Sequence, residues 1–173
     1  MMMQAVGGIL VIASAFLIGW RASEDLEKEY RQLGELQRIS SMLQGEIRYA
    51  RAFLAEAFGS IARTAQEPYK SWMLEMHQRM NAKESGSFAC IWEKTARECL
   101  ADLSISDIEK RRLYDLGKYL GNADTQMQLT HLKMYEEQLE ILRAEKRQSL
   151  HTKKKLYRVL GAAGGIFLAI LLI

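Results

Sequence analysis

Side chains that commonly carry out chemistry are sparse and scattered in this chain of 173 residues. Its three histidines, His77, His131 and His151, lie far apart, and none has a histidine or cysteine four residues away that would make a local metal site. The chain also lacks the G-x-S-x-G, H-E-x-x-H and Walker lysine patterns of many hydrolases and nucleotide enzymes. We therefore predict a protein that is not an enzyme and has no metal or cofactor.

Two further groups of side chains have both a structural and a functional interpretation. Met73, Met76 and Met80 follow helical spacing and could form an adaptable binding surface, but such a stripe is more often part of a core. Glu136 and Glu140 fit the solvated face of a helix, which is the usual meaning of a run of charge. The structural interpretation is favoured for both groups.

The two cysteines do not predict a disulfide. If Cys90 and Cys99 share a helix, their spacing places them about 13 Å apart along its axis and on opposite faces, beyond the reach of a disulfide. They are expected to be reduced thiols in the core, and this favours a cytosolic domain.

The charge pattern divides the chain into three parts. Residues 1–20 and 159–173 contain no Asp, Glu, Lys or Arg, so all 24 basic and 21 acidic side chains fall within residues 21–158. With one proline in the whole chain, little turn chemistry is left for a β fold. We predict an all-α protein with a transmembrane helix at 1–20, a cytosolic helical bundle at 21–155 and a second transmembrane helix at 156–173.

The first apolar segment is long enough to cross a hydrocarbon core of about 30 Å. A cleaved signal peptide is the alternative interpretation. However, the segment lacks a positively charged start, and its A-x-A run, Ala13 to Ala15, is followed by more apolar sequence. A retained transmembrane span is therefore favoured.

A basic collar precedes the second span. Seven bases and one acid lie between Arg143 and Arg158, a local net charge of +6. The members nearest the membrane are Lys153, Lys154, Lys155 and Arg158. By the positive-inside rule this collar places the central domain in the cytoplasm. Its position beside an apolar segment favours anionic membrane lipid over nucleic acid as its partner.

Small residues recur at four-residue spacing in both predicted spans. Gly161 and Gly165 form a G-x-x-x-G pair in the second span, and Ala15 with Gly19 forms a similar pair in the first. Such pairs let helices approach closely in a membrane. The spans could pack within one chain or between the chains of a homo-oligomer, and the sequence leaves both arrangements open.

Helical periodicity divides the central domain into six helices. The first follows one apolar stripe from Leu26 to Leu54, long enough to leave the membrane as a stalk and to enter the bundle. The second covers about Phe53–Ala65, and the third begins at Pro68, which suits a first helical position. Ser87 is predicted to cap the fourth helix.

The fifth and sixth helices also have clear signals. Ser106 and Glu109 have the spacing of a capping box at the start of the fifth helix. Its apolar residues are expected to face inward, namely Ile108, Leu113, Leu116 and Leu120. The sixth helix returns to the membrane with an apolar face formed by Leu132, Tyr135, Leu139 and Leu142. Because the stalk comes first and the collar last, the two ends of the domain must lie close together.

A motif joins the fifth helix to the sixth. It consists of Leu120, Gly121 and Asn122, followed by Asp124 and Gln128. Gly121 can adopt the left-handed conformation that ends a helix, and Asn122 or Asp124 can accept hydrogen bonds from the first N–H groups of the next. A helix-to-helix corner is favoured over a partner contact, since caps alone explain these residues.

These features together resemble the stage III sporulation protein AB family of endospore-forming bacteria. The stretches that carry the resemblance are Leu43–Tyr49 (LQGEIRY) leading into Phe53–Ala57, Leu116–Leu132, and Leu156–Ile173. In the middle stretch, Leu120 with Gly121, Asp124 and Gln128 match the family's pattern. The resemblance covers essentially the whole chain.

The resemblance implies a location and partners. The family's cytosolic domain is similar to the six-helix cytoplasmic domain of the inner-membrane platform proteins of type II secretion and type IV pilus systems. A member is expected in the mother-cell membrane around the forespore, within the channel complex that links the two cells. There it would couple a cytosolic secretion-type ATPase, the family's stage III sporulation protein AA, to membrane components of the channel.

Two other classes of function are alternatives to the hypothesis that the protein is a non-enzymatic membrane platform. A holin-like membrane-permeabilising protein would form pores with a short, glycine-containing C-terminal span, but the large folded domain at 21–155 argues against it. A membrane-bound enzyme is disfavoured because no site is visible in the sequence.

Overall fold

The structure is a computed structural model. It describes the backbone of residues 2–50, 54–82, 86–121 and 124–172. Within these ranges it describes the side chains of residues 21, 24–48, 54–82, 86–121, 124–153 and 156.

Helices account for all the regular secondary structure in the described ranges. They are α1 (Met2–Gly45) with a π-helical turn after it (Glu46–Ala50), α2 (Leu54–Ala62), α3 (Tyr69–Asn81), α4 (Phe88–Cys99), α5 (Asp107–Leu120) and α6 (Thr125–Leu172). The prediction of an all-α protein with six helices is confirmed for these residues.

The chain forms two compact units. The first, called here the bundle unit, comprises Gln32–Leu142. The second, called here the paired-helix unit, comprises Met1–Arg31 together with Arg143–Ile173. Helices α1 and α6 contribute residues to both units.

Within the described part of the chain, no helix combines the length and the hydropathy that crossing a membrane requires. The side chains of residues 1–20 and 157–173 lie outside that part, and the two predicted spans lie there with them. Both spans therefore remain predictions.

All six helices contribute side chains to the core of the bundle unit. Its largest fully buried side chains are Leu33, Leu36, Leu43, Phe58, Ile61, Trp72, Met73, Met76, Trp92, Leu100, Leu120 and Leu132. Burial of each such side chain stabilises the fold by about 1.5–3 kcal/mol relative to exposure. Because Met73 and Met76 are fully buried and Met80 packs against the core, the methionine stripe belongs to the core, as the structural interpretation predicted.

Aromatic rings from α2, α3 and α4 meet within this core. Trp72 and Trp92 pack edge to face with ring centroids 4.7 Å apart, and Phe58 lies 6.0 Å from Trp92. The indole Nε1 of Trp92 donates a hydrogen bond to the carbonyl oxygen of Leu113 at 2.8 Å. This bond satisfies a buried polar group and attaches α4 to α5.

The predicted helix starts agree with the structure. Ser87 accepts a hydrogen bond from the backbone N–H of Cys90, and Ser106 accepts one from that of Glu109, each at 3.3 Å. Both serines are therefore N-caps, as predicted. Pro68 precedes α3 as its N-cap residue and is not the first helical residue.

The inward orientation predicted for Ile108 is wrong, because this side chain is 55% exposed. At the first turn of α5 the core-facing position belongs to Glu109, which is in helical register with Leu113 and Leu116. The stem of Glu109 is buried, and its carboxylate accepts a hydrogen bond from Arg112 at 3.2 Å. A charged residue with a long apolar stem thus takes the place expected for isoleucine.

The first apolar stripe does not form one uninterrupted α-helix through Leu54. Regular α-helix ends at Gly45, a π-helical turn follows at Glu46–Ala50, and Leu54 already belongs to α2. Glycine lowers helix propensity, and a π turn changes the angular register of the residues that follow it. Ile47 remains buried within this turn.

The two cysteines share α4 and are free thiols, as expected. Cys90 is exposed, so the prediction that it is a core thiol is wrong, whereas Cys99 is half-buried and packs against the core. The core-facing side of α4 is formed by Trp92, Thr95 and Ala96. Cys99 lies one turn after Thr95 and Ala96 and packs at the edge of this side, whereas Cys90 lies away from it.

Candidate functional site

The motif between α5 and α6 forms a helix corner in the structure. Asp124 Oδ1 accepts a hydrogen bond from the backbone N–H of Met127 at 2.9 Å, which caps the start of α6. Gln128 Nε2 donates to the carbonyl oxygen of Leu120 at 2.6 Å, at the last turn of α5. The two side chains satisfy polar groups at facing helix ends. Asn122 lies outside the described residues.

The left-handed conformation predicted for Gly121 is wrong. Its φ of −79° and ψ of −35° are helical. A Cβ atom at Gly121 would lie 2.8 Å from the Cβ atom of Phe88, and one at Gly117 would overlap the indole of Trp92. Both glycines therefore allow α4 to approach α5 closely, a requirement that arises from packing between helices and not from the turn itself.

A surface groove lies beside this corner, between α5 and α6. It has a volume of about 260 Å³ and is lined by Arg112, Asp115, Leu116, Tyr119, His131, Met134, Tyr135 and Gln138. The ring of Tyr119 stacks on that of His131, with centroids 4.1 Å apart. Tyr119 and Met134 are about half exposed, at 48% and 51%. Single exposed apolar side chains are normal on a protein surface, so these two do not identify the groove as a binding site.

Sequence reasoning missed this groove and also an exposed apolar stripe on α6, of which only Met134 lines the groove. Met127, Met134 and Ile141 recur every seven residues on α6 and are all more than half exposed. They form a second apolar stripe, separate from the buried stripe of Leu132, Tyr135 and Leu139. A search for exposed seven-residue periodicity would have found it.

Helices α1 and α6 lie side by side in the paired-helix unit. Lys146 Nζ lies 2.8 Å from Glu29 Oε2, and these side chains are only 29% and 14% exposed. The guanidinium of Arg143 lies over the ring of Tyr30, 4.9 Å from its centroid, and donates to the Tyr30 hydroxyl at 3.3 Å. The proximity expected for the two ends of the domain is therefore found in the contacts between these helices.

The predicted collar and packing residues fall mostly outside the described side chains. Lys153 is described and half-buried. The predicted residues that lie outside the described side chains are Lys154, Lys155, Arg158, Gly161 and Gly165. Their roles in binding lipid and in packing the spans stay predictions.

Two of the three histidines, His77 and His131, make structural contacts. His77 Nδ1 lies 2.6 Å from the carbonyl oxygen of Ala55, and its ring packs against Gly59. His131 stacks on Tyr119 in the surface groove. Within the described ranges, no group of three or more His, Cys, Asp or Glu side chains could hold a metal ion. Absence of enzymatic activity stays a prediction.

Two buried tyrosines have perturbed ionisation. Burial raises the pKa of Tyr135 above its usual value, and the neighbouring Tyr69 and Glu109 act in the same direction. Burial also raises the pKa of Tyr69, with a further contribution from Glu35. Tyr69 donates a hydrogen bond to the carbonyl oxygen of Gln32 at 3.1 Å. A raised pKa disfavours the phenolate form, so these tyrosines are structural groups of the core.

The fold and the described contacts define a class of protein, an all-α bundle with a capped helix corner and paired first and last helices. The sequence model of one family, Stage III sporulation protein AB, matches residues 4–173, and the chain belongs to this family. A solved structure of a Stage III sporulation protein AB (SpoIIIAB) is similar, with a TM-score of 0.65 and 26% sequence identity. The similarity covers 72% of this chain and 97% of that chain. No curated protein matches the chain.

Proposed function

We propose that this protein is a non-enzymatic membrane platform in the channel between the sporulating mother cell and the forespore. It would couple a cytosolic secretion-type ATPase, stage III sporulation protein AA, to membrane components of that channel. Membership of the Stage III sporulation protein AB family supports the sporulation role. The resemblance to secretion and pilus platform proteins supports the role as an adaptor.

The pairing of α1 with α6 is the observation that carries the proposal. The Glu29–Lys146 ion pair is a direct contact between the two helices. From this pair, α1 leads back to residues 1–20 and α6 leads on to 159–173, both free of charged residues. A polar body attached to two apolar segments suits a protein that is held at a membrane, with the central domain in the cytoplasm.

The proposed mechanism is transmission of contact. A partner that moves against the bundle unit would shift α6, which contributes to both units. The paired-helix unit would pass that displacement to the membrane segments, and the basic collar would hold the unit at anionic lipid. No chemical step is needed, because the bundle only positions its partners.

Co-purification tests the adaptor role. The full-length protein, isolated from membranes that contain the other channel components, is expected to carry the ATPase with it. Reporter fusions at both termini are expected to give signals outside the cytoplasm. Loss of ATPase from these preparations, or a cytoplasmic signal from either terminus, would contradict the proposal.

Charge reversal at the Glu29–Lys146 pair tests whether this pair is needed to couple the bundle unit to the membrane components. Lys146→Glu places two acids opposite each other and is expected to reduce association with membrane components while the ATPase stays bound. The double variant Glu29→Lys with Lys146→Glu restores an ion pair and is expected to recover association. Lys118→Glu, in the exposed Lys118–Asp115 pair of α5, is the control and should have no effect. Failure of the double variant to recover association argues against transmission through this pair.

A further inference from the structure

A second surface cleft lies within the paired-helix unit. It has a volume of about 260 Å³ and is lined by Glu27, Tyr30, Arg31, Arg147, Leu150 and His151. Of these residues, only Arg147 belongs to the basic collar predicted between Arg143 and Arg158. We refer to it as the arginine cleft.

Helical spacing explains why these side chains converge. Glu27 and Arg31 are four residues apart on α1, and Arg147 and His151 are four residues apart on α6, so each pair shares a helix face. The Glu29–Lys146 ion pair is a direct contact between the two helices beside the cleft. Arginines from two different helices therefore line one concave surface.

The charge and shape of the cleft favour an anion. Arg31 and Arg147 contribute +2 and Glu27 contributes −1, which leaves +1 before any contribution from His151. The planar fork of an arginine guanidinium matches the oxygens of a phosphate group. Leu150, only 8% exposed, provides an apolar surface beside these polar groups.

The distance from the cleft to the predicted membrane segment agrees with a binding site at the level of the lipid headgroups. His151 precedes Leu156, the first residue of the predicted span, by five residues, which is about 8 Å of helix. The polar layer of one leaflet is about 5–8 Å thick. The edge of the cleft nearest the predicted span, at His151, would then lie at the outer boundary of the lipid headgroups. This placement rests on the membrane anchoring proposed above.

We propose that the arginine cleft is a phosphate-binding site. Its ligand is a phosphate group carried by an anionic lipid headgroup or by a soluble phosphate. Basic pockets beside membrane helices commonly bind phosphorylated lipid headgroups. The site shares Arg147 with the basic collar but differs from its membrane-proximal members Lys153, Lys154, Lys155 and Arg158, because it also has walls from α1, which contribute Arg31 and Glu27.

The test measures binding of inorganic phosphate to the full chain in detergent, and of the reconstituted chain to vesicles of phosphatidylglycerol or phosphatidylcholine. Arg31→Gln and Arg147→Gln are each expected to weaken binding about fivefold, the equivalent of about 1 kcal/mol. Glu27→Gln is expected to strengthen it about fivefold, because it removes the opposing charge. Thermal unfolding of each variant verifies that the helix pair is intact.

Matched controls distinguish phosphate binding at the cleft from a general effect of the protein's net charge. Arg111→Gln removes one positive charge from the exposed surface of α5, and Glu24→Gln changes the net charge by the same amount as Glu27→Gln. Neither control is expected to change phosphate binding.

Each outcome bears directly on the proposal. Cleft-dependent binding of inorganic phosphate supports a soluble source, and cleft-dependent binding of phosphatidylglycerol vesicles alone supports the lipid source. Equal effects of Glu27→Gln and Glu24→Gln, or binding that ignores both arginines, would overturn it. Failure of the chain to enter vesicles would count against the proposed anchoring, while the phosphate titration in detergent would still test the cleft.

Discussion

The bundle unit contains fully buried rings such as those of Phe58, Trp72 and Trp92. In the paired-helix unit, Leu150 is the one buried residue among the described side chains, and the described contacts between the helices include an ion pair and a hydrogen bond. Hydrophobic burial depends little on ionic strength, whereas an ion pair is screened by salt. The described part of the first unit is therefore stabilised mainly by apolar burial, and the second includes polar pairs whose strength salt can change.

This difference suits the proposed function. A platform must keep the shape of the surface that its soluble partner contacts, and it must also respond where it meets the membrane. Buried aromatic packing provides the first property, because interiors are close-packed and transmit strain. Polar pairing provides the second, because its strength changes with local charge and salt. Four substitutions test this contrast, from the largest expected effect to the smallest.

Removal of the central indole should cause the largest loss of stability. Trp92→Ala creates a cavity and leaves the Leu113 carbonyl without its donor, so we expect a loss of about 3–5 kcal/mol in the free energy of unfolding. Urea denaturation followed by circular dichroism measures it. Leu74→Ala, at a side chain 43% exposed on α3, is the control and should change stability by less than about 0.5 kcal/mol. Equal effects of the two variants would refute the assigned core.

A single methyl group between α4 and α5 should have the next largest effect. Gly117→Ala forces its Cβ atom against Trp92, and we expect overpacking to lower stability by about 1–3 kcal/mol. Gly45→Ala is the matched control, because nothing lies within 4 Å of a Cβ atom there. The control should be neutral or stabilising by up to about 1 kcal/mol, since alanine favours helix more than glycine does. A neutral Gly117→Ala would contradict the close approach.

Loss of the cap at the helix corner should have a smaller effect. Asp124→Ala leaves the N–H of Met127 without its acceptor and is expected to cost about 1 kcal/mol. Asp124→Asn keeps a side-chain oxygen that can cap the helix, so it should retain most of the stability. Thermal unfolding distinguishes the two variants. Equal destabilisation by the two variants would show that the negative charge of Asp124, and not its capping hydrogen bond, stabilises the helix.

Disruption of the polar pair should have the smallest effect on stability. Lys146→Ala is expected to lower it by about 1 kcal/mol or less at low salt, because Glu29 and Lys146 are only partly buried. The difference from the unmodified chain should shrink at high salt. Lys118→Ala, in a fully exposed pair, should give no measurable change. A salt-independent loss for Lys146→Ala would show that packing, and not charge, holds these helices together.

Many features of the fold could be predicted from the sequence, because they depend on interactions between residues close together in the chain. A serine cap needs only its own helix, so Ser87 and Ser106 identified two helix starts correctly. The helical periodicity of α6 likewise predicted the burial of Leu132 and Leu139. At the corner, Asp124 was one of two candidate caps, and the structure assigns a cap to it.

Tertiary contacts decided the remaining features. The sequence explained Gly121 by a turn, but its role depends on Phe88, which lies on another helix. Helical register with Leu113 and Leu116 favours Glu109 over Ile108 as the core-facing residue, whereas hydropathy favours isoleucine, and burial of the Glu109 stem decides between them.

The sequence by itself thus determined the helical class, the ends of several helices and the family, because these depend on spacing along one chain. The tertiary structure alone placed Arg31 and Arg147 in the lining of one cleft, Glu29 beside Lys146, and Gly117 against Trp92. Contacts between residues far apart in the chain depend on how helices pack, and periodicity within one helix contains no information about its neighbour's position.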